Sequence, residues 1–131
     1  MNLRLLILAL PLVAFSCSES EESTNQLCQI EALDEIFAIR EHEPNETIVG
    51  TVDATADNEA QLSYSIVSGN QDNVFAINSA SGLITVNNSA DLDFEKIQQF
   101  ILGVEVDSPL CRTAMVNITI NVVDIDDTIN G

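Results

Sequence analysis

The chain has 131 residues, of which 46% are hydrophobic, and it carries 21 acidic against 4 basic residues, for a net charge of −17 at pH 7. Such an acidic protein repels the phosphates of nucleic acids, which excludes nucleic-acid binding as a function. Bound divalent cations would relieve the repulsion among the acidic side chains of such a chain. Alternatively, the acidic side chains only keep an exported domain soluble, which would give the same net charge.

The first sixteen residues have the pattern of a secretory signal. Arg4 supplies a short positive region, an apolar run covers residues 5–15, and Ser16 places a small side chain directly before Cys17. The run is far shorter than the roughly 20 apolar residues of a membrane-spanning helix. We therefore predict a signal peptide at residues 1–16 and a lipid on the Cys17 thiol, as in bacterial lipoproteins. An ordinary cleaved secretory peptide is the alternative.

The segment after Cys17 is polar and acidic. Residues 18–26 read SESEESTNQ and contain no apolar side chain, so they cannot bury a core. We predict that residues 17–32 comprise the lipidated cysteine and a flexible acidic stalk. The acidic run also resembles a signal that sends lipoproteins of some Gram-negative bacteria to the cell surface, and a solvated spacer is the alternative. The prediction is an exported outer membrane lipoprotein whose lipid binds it to the membrane.

From residue 33 onward, apolar and polar residues alternate with a period of two, which is typical of half-buried strands. The alternation is clearest over residues 113–124, where apolar side chains recur at every second position from Ala114 to Val122. Turn signals such as Ser81-Gly82 and Ser108-Pro109 separate the segments. We predict one all-β domain at residues 33–131 with seven strands, at 35–41, 47–54, 62–66, 73–77, 83–86, 100–106 and 113–124.

Six sequence blocks occur in the order found in a known family. They are EHEP from Glu41, VDAT from Val52, LSYSI from Leu62, FAINSASGLITV from Phe75, LDFE from Leu92 and VVDIDD from Val122. The set resembles a cadherin repeat over nearly its whole length, and FAINSASGLITV followed by LDFE is its most specific part. The resemblance implies a seven-stranded Greek-key β-sandwich, cadherin-like and of immunoglobulin-like architecture.

The resemblance also implies a calcium site at one end of the sandwich. Calcium takes six to eight oxygen ligands in irregular geometry, and the predicted strand order brings several acids to one end. This chain departs from the family pattern in two places. In the linker after the last strand, Asp126 and Thr128 stand where the family has asparagines. In the second calcium site of the family, at the opposite end of the sandwich, Ala56 stands where the family has an aspartate. As a single repeat, the chain is expected to hold half a site, and exposed surface charge is the alternative. The implied ligands are Glu41, Asp93, Glu95, Asp124 and Asp127.

The two remaining cysteines form a candidate pair. The predicted topology places both Cys28 and Cys111 at the end of the sandwich opposite the acids. An exported protein resides in an oxidising compartment, so we predict a disulfide between them, with two free thiols as the alternative. The chain has no CxxC motif and no Cys/His cluster, which argues against zinc.

The sequence is compatible with two functions, adhesion and a structural role, and it argues against enzymatic catalysis. The resemblance implies calcium-dependent adhesion at the cell surface, through self-association or another surface protein. A structural spacer of the cell envelope with little or no calcium binding is the alternative. His42 is the only histidine and has no plausible nucleophile partner, so we predict no enzymatic activity and no small-molecule substrate.

Overall fold

The computed structural model describes residues 27–126 and shows an all-β architecture. The predicted signal peptide, Cys17 and Asp127 lie outside the described residues. Two single-turn 3-10 helices, Gln71–Asn73 and Ser89–Asp91, interrupt the strands. The strands are β1 (Ile30–Ala32), β2 (Glu35–Arg40), β3 (Ile48–Thr51), β4 (Ala54–Ala56), β5 (Ser63–Ser68), β6 (Phe75–Ile77), β7 (Leu83–Val86), β8 (Gln99–Asp107) and β9 (Ala114–Val123).

The larger sheet has the order β2-β9-β8-β5. β2 pairs parallel with β9, whereas β8 pairs antiparallel with both β9 and β5. Along β9 the alternate residues Val116, Ile118, Ile120 and Val122 are buried and their neighbours face outward. The period-two pattern of the sequence is therefore the alternation between core and solvent on this sheet.

The second layer consists of a three-stranded sheet, β3-β7-β6, and a short two-stranded pair, β1-β4. Phe75 of β6 meets Phe100 of β8 edge to face, with ring centroids 4.9 Å apart, so aromatic packing joins the two layers. Consecutive strands such as β2 and β3 lie in different sheets, as in a Greek key. The prediction of an all-β, cadherin-like sandwich is confirmed. Its most deeply buried large side chains include Phe75, Ile84, Leu92, Leu102, Ile118 and Ile120.

The seven predicted strands are present, but the described residues form nine strands. The strand predicted at 47–54 is divided into β3 and β4 at Val52 and Asp53. Val52 donates its N–H to the carbonyl of Gly82, and the Asp53 N–H donates to Glu35 Oε2 at 2.9 Å. A side chain from another strand therefore takes the hydrogen bond that a continuous ladder would use.

The predicted stalk, residues 17–32, is wrong at its C-terminal end. Residues 30–32 form β1, which pairs antiparallel with β4 and buries Ile30 against the core. Asp57 fixes the same segment, because its carboxylate accepts the N–H of Gln29 at 3.2 Å and its own N–H donates back to the Gln29 carbonyl. The folded domain thus includes residues before 33, where the alternating pattern begins.

A disulfide joins Cys28 to Cys111, as predicted, with their Cα atoms 4.4 Å apart. Backbone hydrogen bonds flank it on both sides, from the Cys28 N–H to the Leu110 carbonyl and from the Arg112 N–H to the Cys28 carbonyl. The bond connects the segment before β1 to the connection between β8 and β9. It closes a sequence separation of 83 residues.

Candidate metal centre

Glu41 is the buried centre of the acidic end of the sandwich. It directly follows β2, and only 2% of its surface is exposed. Its Oε1 accepts the backbone N–H of Ile125 at 2.9 Å, and its Oε2 accepts that of Phe94 at 3.0 Å. One carboxylate thereby fixes the end of β2, the connection between β7 and β8, and the segment after β9.

These hydrogen bonds keep Glu41 ionised. The N–H of Ile125 lowers the pKa of Glu41 most, and the N–H of Phe94 lowers it next, while burial acts in the opposite direction. A side-chain hydrogen bond with Asp124 and the charge of His42 lower this pKa further. The Nε2 atom of His42 lies 3.3 Å from Glu41 Oε2. The carboxylate is therefore a fixed anion, and each oxygen retains lone pairs that do not face a backbone N–H.

Asp93 and Glu95 lie on a tight turn that faces Glu41. The preceding residue, Leu92, is fully buried, and its carbonyl accepts the N–H of His42 at 2.9 Å. Asp93 Oδ1 accepts the N–H of Glu95 at 2.8 Å, which holds the turn in place. One carboxylate oxygen from each of Glu41, Asp93 and Glu95 lies within 4.8 Å of the other two. We call these three residues the acidic triad.

The acidic triad has an excess of negative charge. Desolvation raises the pKa of Glu95, and the charges of Glu41, Asp124 and Asp93 raise it further. The nearby ammonium of Lys96 instead pairs with Asp91 at 2.6 Å. Ionising Glu95 therefore costs more in the folded protein than in the unfolded chain, and a cation between the carboxylates would offset that cost.

The ligand atoms of the triad are of the kind that hard cations such as calcium take. All three ligands are carboxylate oxygens, which hard cations prefer, and described residues 27–126 bring no cysteine to them. Two oxygens on opposite sides of a calcium ion with bonds of about 2.4 Å lie about 4.8 Å apart. The three oxygens of the triad lie within 4.8 Å of one another, so all three can contact one ion of this size. The residues present therefore fit a calcium ion, with water and further oxygens completing its coordination.

The structure brings together three of the five predicted ligands. Asp124 also belongs to the electrostatic environment, because it acts on the pKa values of both Glu41 and Glu95. Asp127 lies outside the described residues and stays a prediction. Sequence reasoning missed the backbone N–H groups of Phe94 and Ile125, although the LDFE and VVDIDD blocks that contain them had been identified.

The acids at the opposite end have structural partners. Asp57 binds the backbone of Gln29, as described above. Asp107 Oδ1 accepts a hydrogen bond from the Thr113 hydroxyl at 2.8 Å, which joins the end of β8 to the start of β9. These carboxylates stabilise chain connections at the end where the sequence predicted a degraded second site.

The structure is therefore a β-sandwich module with two facing sheets, a parallel β2-β9 pair and a carboxylate cluster at one end that could hold a metal ion. The family model of the cadherin domain matches residues 35–123. The chain belongs to the cadherin domain family.

Curated relatives agree with this assignment. The chain is 30% identical over 84 residues to Protocadherin Fat 4 of Mus musculus, covering 62% of this chain and 2% of that protein. It is 43% identical over 70 residues to Protocadherin-15 of Gallus gallus, covering 53% of this chain and 4% of that protein. The chain thus spans only a small fraction of the length of these relatives.

Solved structures show the same fold. The structure titled Protocadherin gammaB7 EC3-6 cis-dimer aligns with a TM-score of 0.65 at 22% identity, covering 76% of this chain and 24% of that one. Protocadherin Gamma B2 extracellular cadherin domains 1-5 align with a TM-score of 0.64 at 22% identity, covering 88% and 22%. In the described part of this chain, no helix has the length and hydrophobicity that a membrane crossing requires.

Proposed function

We propose that this chain is a calcium-binding cadherin module, tethered to a membrane by a lipid, that mediates adhesion at the cell surface. The observation that carries the calcium part is the acidic triad, whose ligand oxygens lie within 4.8 Å of one another. The membership in the cadherin family supports the adhesive part. The named similarity to extracellular cadherin domains supports the location.

The residues of the triad have different roles in this proposal. Glu41 is held by two backbone N–H groups before any ion arrives, so it supplies a preorganised ligand. Asp93 is held by the N–H of Glu95, and Glu95 itself is exposed and can adjust its position. A bound calcium ion supplies positive charge that offsets the repulsion among the carboxylates. Binding therefore stiffens the junction of three chain segments that meet at Glu41.

Calcium should stabilise the folded domain. Because the ion binds the native state and the unfolded chain lacks the site, 10 mM calcium with a dissociation constant of about 1 mM should raise the midpoint of thermal unfolding by about 6 °C. The measurement is a thermal scan of residues 18–131 in calcium and in chelator. Equal midpoints at 10 mM calcium would contradict the calcium proposal.

Replacing Glu95 by glutamine gives a sharper test, because it separates two effects of opposite sign. Folding raises the pKa of Glu95, so its ionisation at neutral pH disfavours the folded state. Glu95→Gln should therefore raise the midpoint in chelator slightly while removing most of the calcium shift. Glu31→Gln is the matched control, since Glu31 is exposed on β1, away from the triad, and should leave both values unchanged. A full calcium shift in Glu95→Gln would show that the ion binds elsewhere.

The lipid anchor is tested at Cys17. Wild-type protein expressed in a Gram-negative host should fractionate with the membrane and incorporate a labelled fatty acid. Cys17→Ser should lose the label and become soluble after export, because the lipid is attached through the cysteine thiol. Ser16→Ala keeps a small residue before the cysteine and should retain the label. A labelled Cys17→Ser protein would refute the anchor.

A further inference from the structure

The end of the sandwich that carries the disulfide exposes two adjacent leucines. Leu27 is 49% exposed and Leu110 is 69% exposed. The Cys28 N–H donates to the Leu110 carbonyl at 3.3 Å, so the peptide unit between residues 27 and 28 contacts the one between residues 110 and 111. The bond between Cys28 and Cys111 holds the two segments together. We call Leu27, Leu110 and the exposed Pro109 the apolar tip.

The backbone of the apolar tip is fixed to the rest of the domain. The Cys111 N–H donates to the Ser108 carbonyl at 3.1 Å, which closes the turn that contains Pro109 and Leu110. The Arg112 N–H donates to the carbonyl of Cys28 at 3.0 Å and fastens the other side of the turn. A turn that is already ordered loses little conformational freedom on binding. Its apolar side chains are therefore presented in a form ready to be covered.

An uncharged groove borders the apolar tip. Its volume is about 480 Å³, and Pro109 forms part of its wall. None of the other lining residues is charged; they are Gln61, Leu62, Ser63, Ser79 and Ala80. The chain as a whole has a net charge of −17, so an uncharged surface of this extent is unusual for it. Exposed apolar side chains that continue into such a groove are typical of an interaction surface.

The position of the proposed lipid anchor indicates what covers this surface. Leu27 is ten residues after Cys17. A chain of that length reaches at most roughly 35 Å, so the apolar tip stays within this distance of the lipid. The acidic triad is at the opposite end of the sandwich, and the ten residues of β9 alone extend for roughly 34 Å between the two ends. The apolar tip is therefore the part of the described domain that the anchor holds nearest to the membrane.

We propose that the apolar tip docks on the surface of the membrane to which the lipid anchors the chain. Leu27 and Leu110 enter the boundary between headgroups and acyl chains, and the exposed guanidinium of Arg112 pairs with lipid phosphate. The inference rests on the lipid anchor of the proposed function and adds an orientation to it. Docking at this end directs the acidic triad away from the membrane.

The charges near the tip define the kind of lipid. Asp57 and Glu59 follow β4, and Asp107 ends β8, at the same end of the sandwich. These carboxylates outnumber Arg112, so anionic headgroups repel this end whereas zwitterionic headgroups do not.

The apolar tip is too small to hold an untethered domain on a bilayer. A single myristoyl chain already gives only marginal binding, and two leucines bury less apolar surface than such a chain. A tether changes this balance, because it keeps the tip at a high local concentration beside the membrane. Docking is therefore expected in the anchored protein and not in the free domain.

Tryptophan fluorescence tests the docking, because the chain has no tryptophan of its own. Residues 17–131 with Leu110→Trp are coupled to a maleimide-bearing phosphatidylethanolamine in phosphatidylcholine vesicles. Coupling occurs through Cys17, since Cys28 and Cys111 are joined to each other. The emission should shift to the blue by roughly 10 nm, because an indole ring at the membrane interface leaves bulk water. Lipids brominated on their acyl chains should quench it.

Ile48→Trp is the matched control. Ile48 is 64% exposed on β3, in the part of the other sheet that is distant from the apolar tip. A tryptophan at this position should keep the emission of an indole in water on the same vesicles. The comparison separates docking through the tip from a general attraction of indole to lipid.

A second change tests whether the native side chains drive the docking. Adding Leu27→Asp to Leu110→Trp should lower the docked fraction about tenfold, because it removes an apolar side chain and adds a charge. Leu27 is exposed, so the midpoint of thermal unfolding should stay the same. Adding phosphatidylglycerol to the vesicles should also reduce the blue shift, because the tip carries an excess of carboxylates.

Three results would overturn the proposal: unshifted emission of the tethered Leu110→Trp protein, an equal shift for Ile48→Trp, or a full shift in the presence of Leu27→Asp. A blue shift of Leu110→Trp without vesicles would assign the tip to a protein contact and would overturn it as well. Failure of the native lipid anchor is measured separately, by the fatty-acid label on wild-type protein. The maleimide coupling supplies the tether in either case.

Discussion

Replacing both Cys28 and Cys111 by serine should lower the midpoint of thermal unfolding by about 20 °C. The disulfide closes a separation of 83 residues, and the chain-entropy model assigns about 4 kcal/mol to a loop of this length. A domain of 60 to 100 residues loses about 4 to 8 °C for each kcal/mol. The loss arises chiefly because the unfolded chain gains freedom, since the backbone hydrogen bonds around Cys28 stay available in the folded state.

The double replacement is the clean comparison, because a single replacement leaves a free thiol. Wild-type protein treated with a reducing agent should melt at the same temperature as the double variant. The double variant should also keep its calcium shift, because the disulfide lies at the opposite end from the acidic triad. A fall of less than about 5 °C would mean that the bond constrains the unfolded chain far less than the chain-entropy model assigns.

Leu92→Ala should destabilise the domain by about 3 kcal/mol, which corresponds to about 15 °C. Leu92 is fully buried in the core, so its truncation removes apolar contacts and leaves a cavity. Its backbone carbonyl also accepts the N–H of His42, and Asp93 follows it directly. A shift of this backbone would move one ligand of the triad, so the calcium shift should shrink as well.

Leu33→Ala is the matched control, since it removes the same atoms from a side chain that is 61% exposed. Its effect should stay below about 0.5 kcal/mol, as expected for surface substitutions. Thermal or urea unfolding in chelator measures both variants, and calcium titration then compares their sites. Equal losses for the two leucines would contradict the position of Leu92 at the base of the triad.

The long strands were predictable because one of their faces is buried. Residues 113–124 were expected as a strand and β9 covers Ala114–Val123, since alternate burial produces a strong period-two signal over ten residues. β1 has only three residues, too few for such a signal, and it depends on pairing with β4. The division between β3 and β4 depends on Glu35, which is 18 residues from Asp53. Local sequence contains no sign of that contact.

The candidate site could likewise be predicted only in part. Its carboxylates could be predicted because family-like blocks mark Glu41, Asp93 and Glu95. The different roles of these carboxylates could not be predicted, because they depend on backbone groups that are far away in sequence. The N–H groups that hold Glu41 come from residues 53 and 84 positions later. The fixed geometry of Glu41 and the raised pKa of Glu95 follow only once those segments meet.

The position of the disulfide has a mechanical consequence. A pulling force applied at the N-terminal end of the described domain reaches Cys28 before it reaches β1. The covalent bond transfers that force to Cys111, between β8 and β9, so the short β1-β4 pair and the contact between Gln29 and Asp57 are not peeled away first. A load between this end and the segment after β9 is then carried covalently, through the disulfide and along the backbone of β9. The strands from β1 to β8 lie within the loop that the disulfide closes, so this load bypasses them.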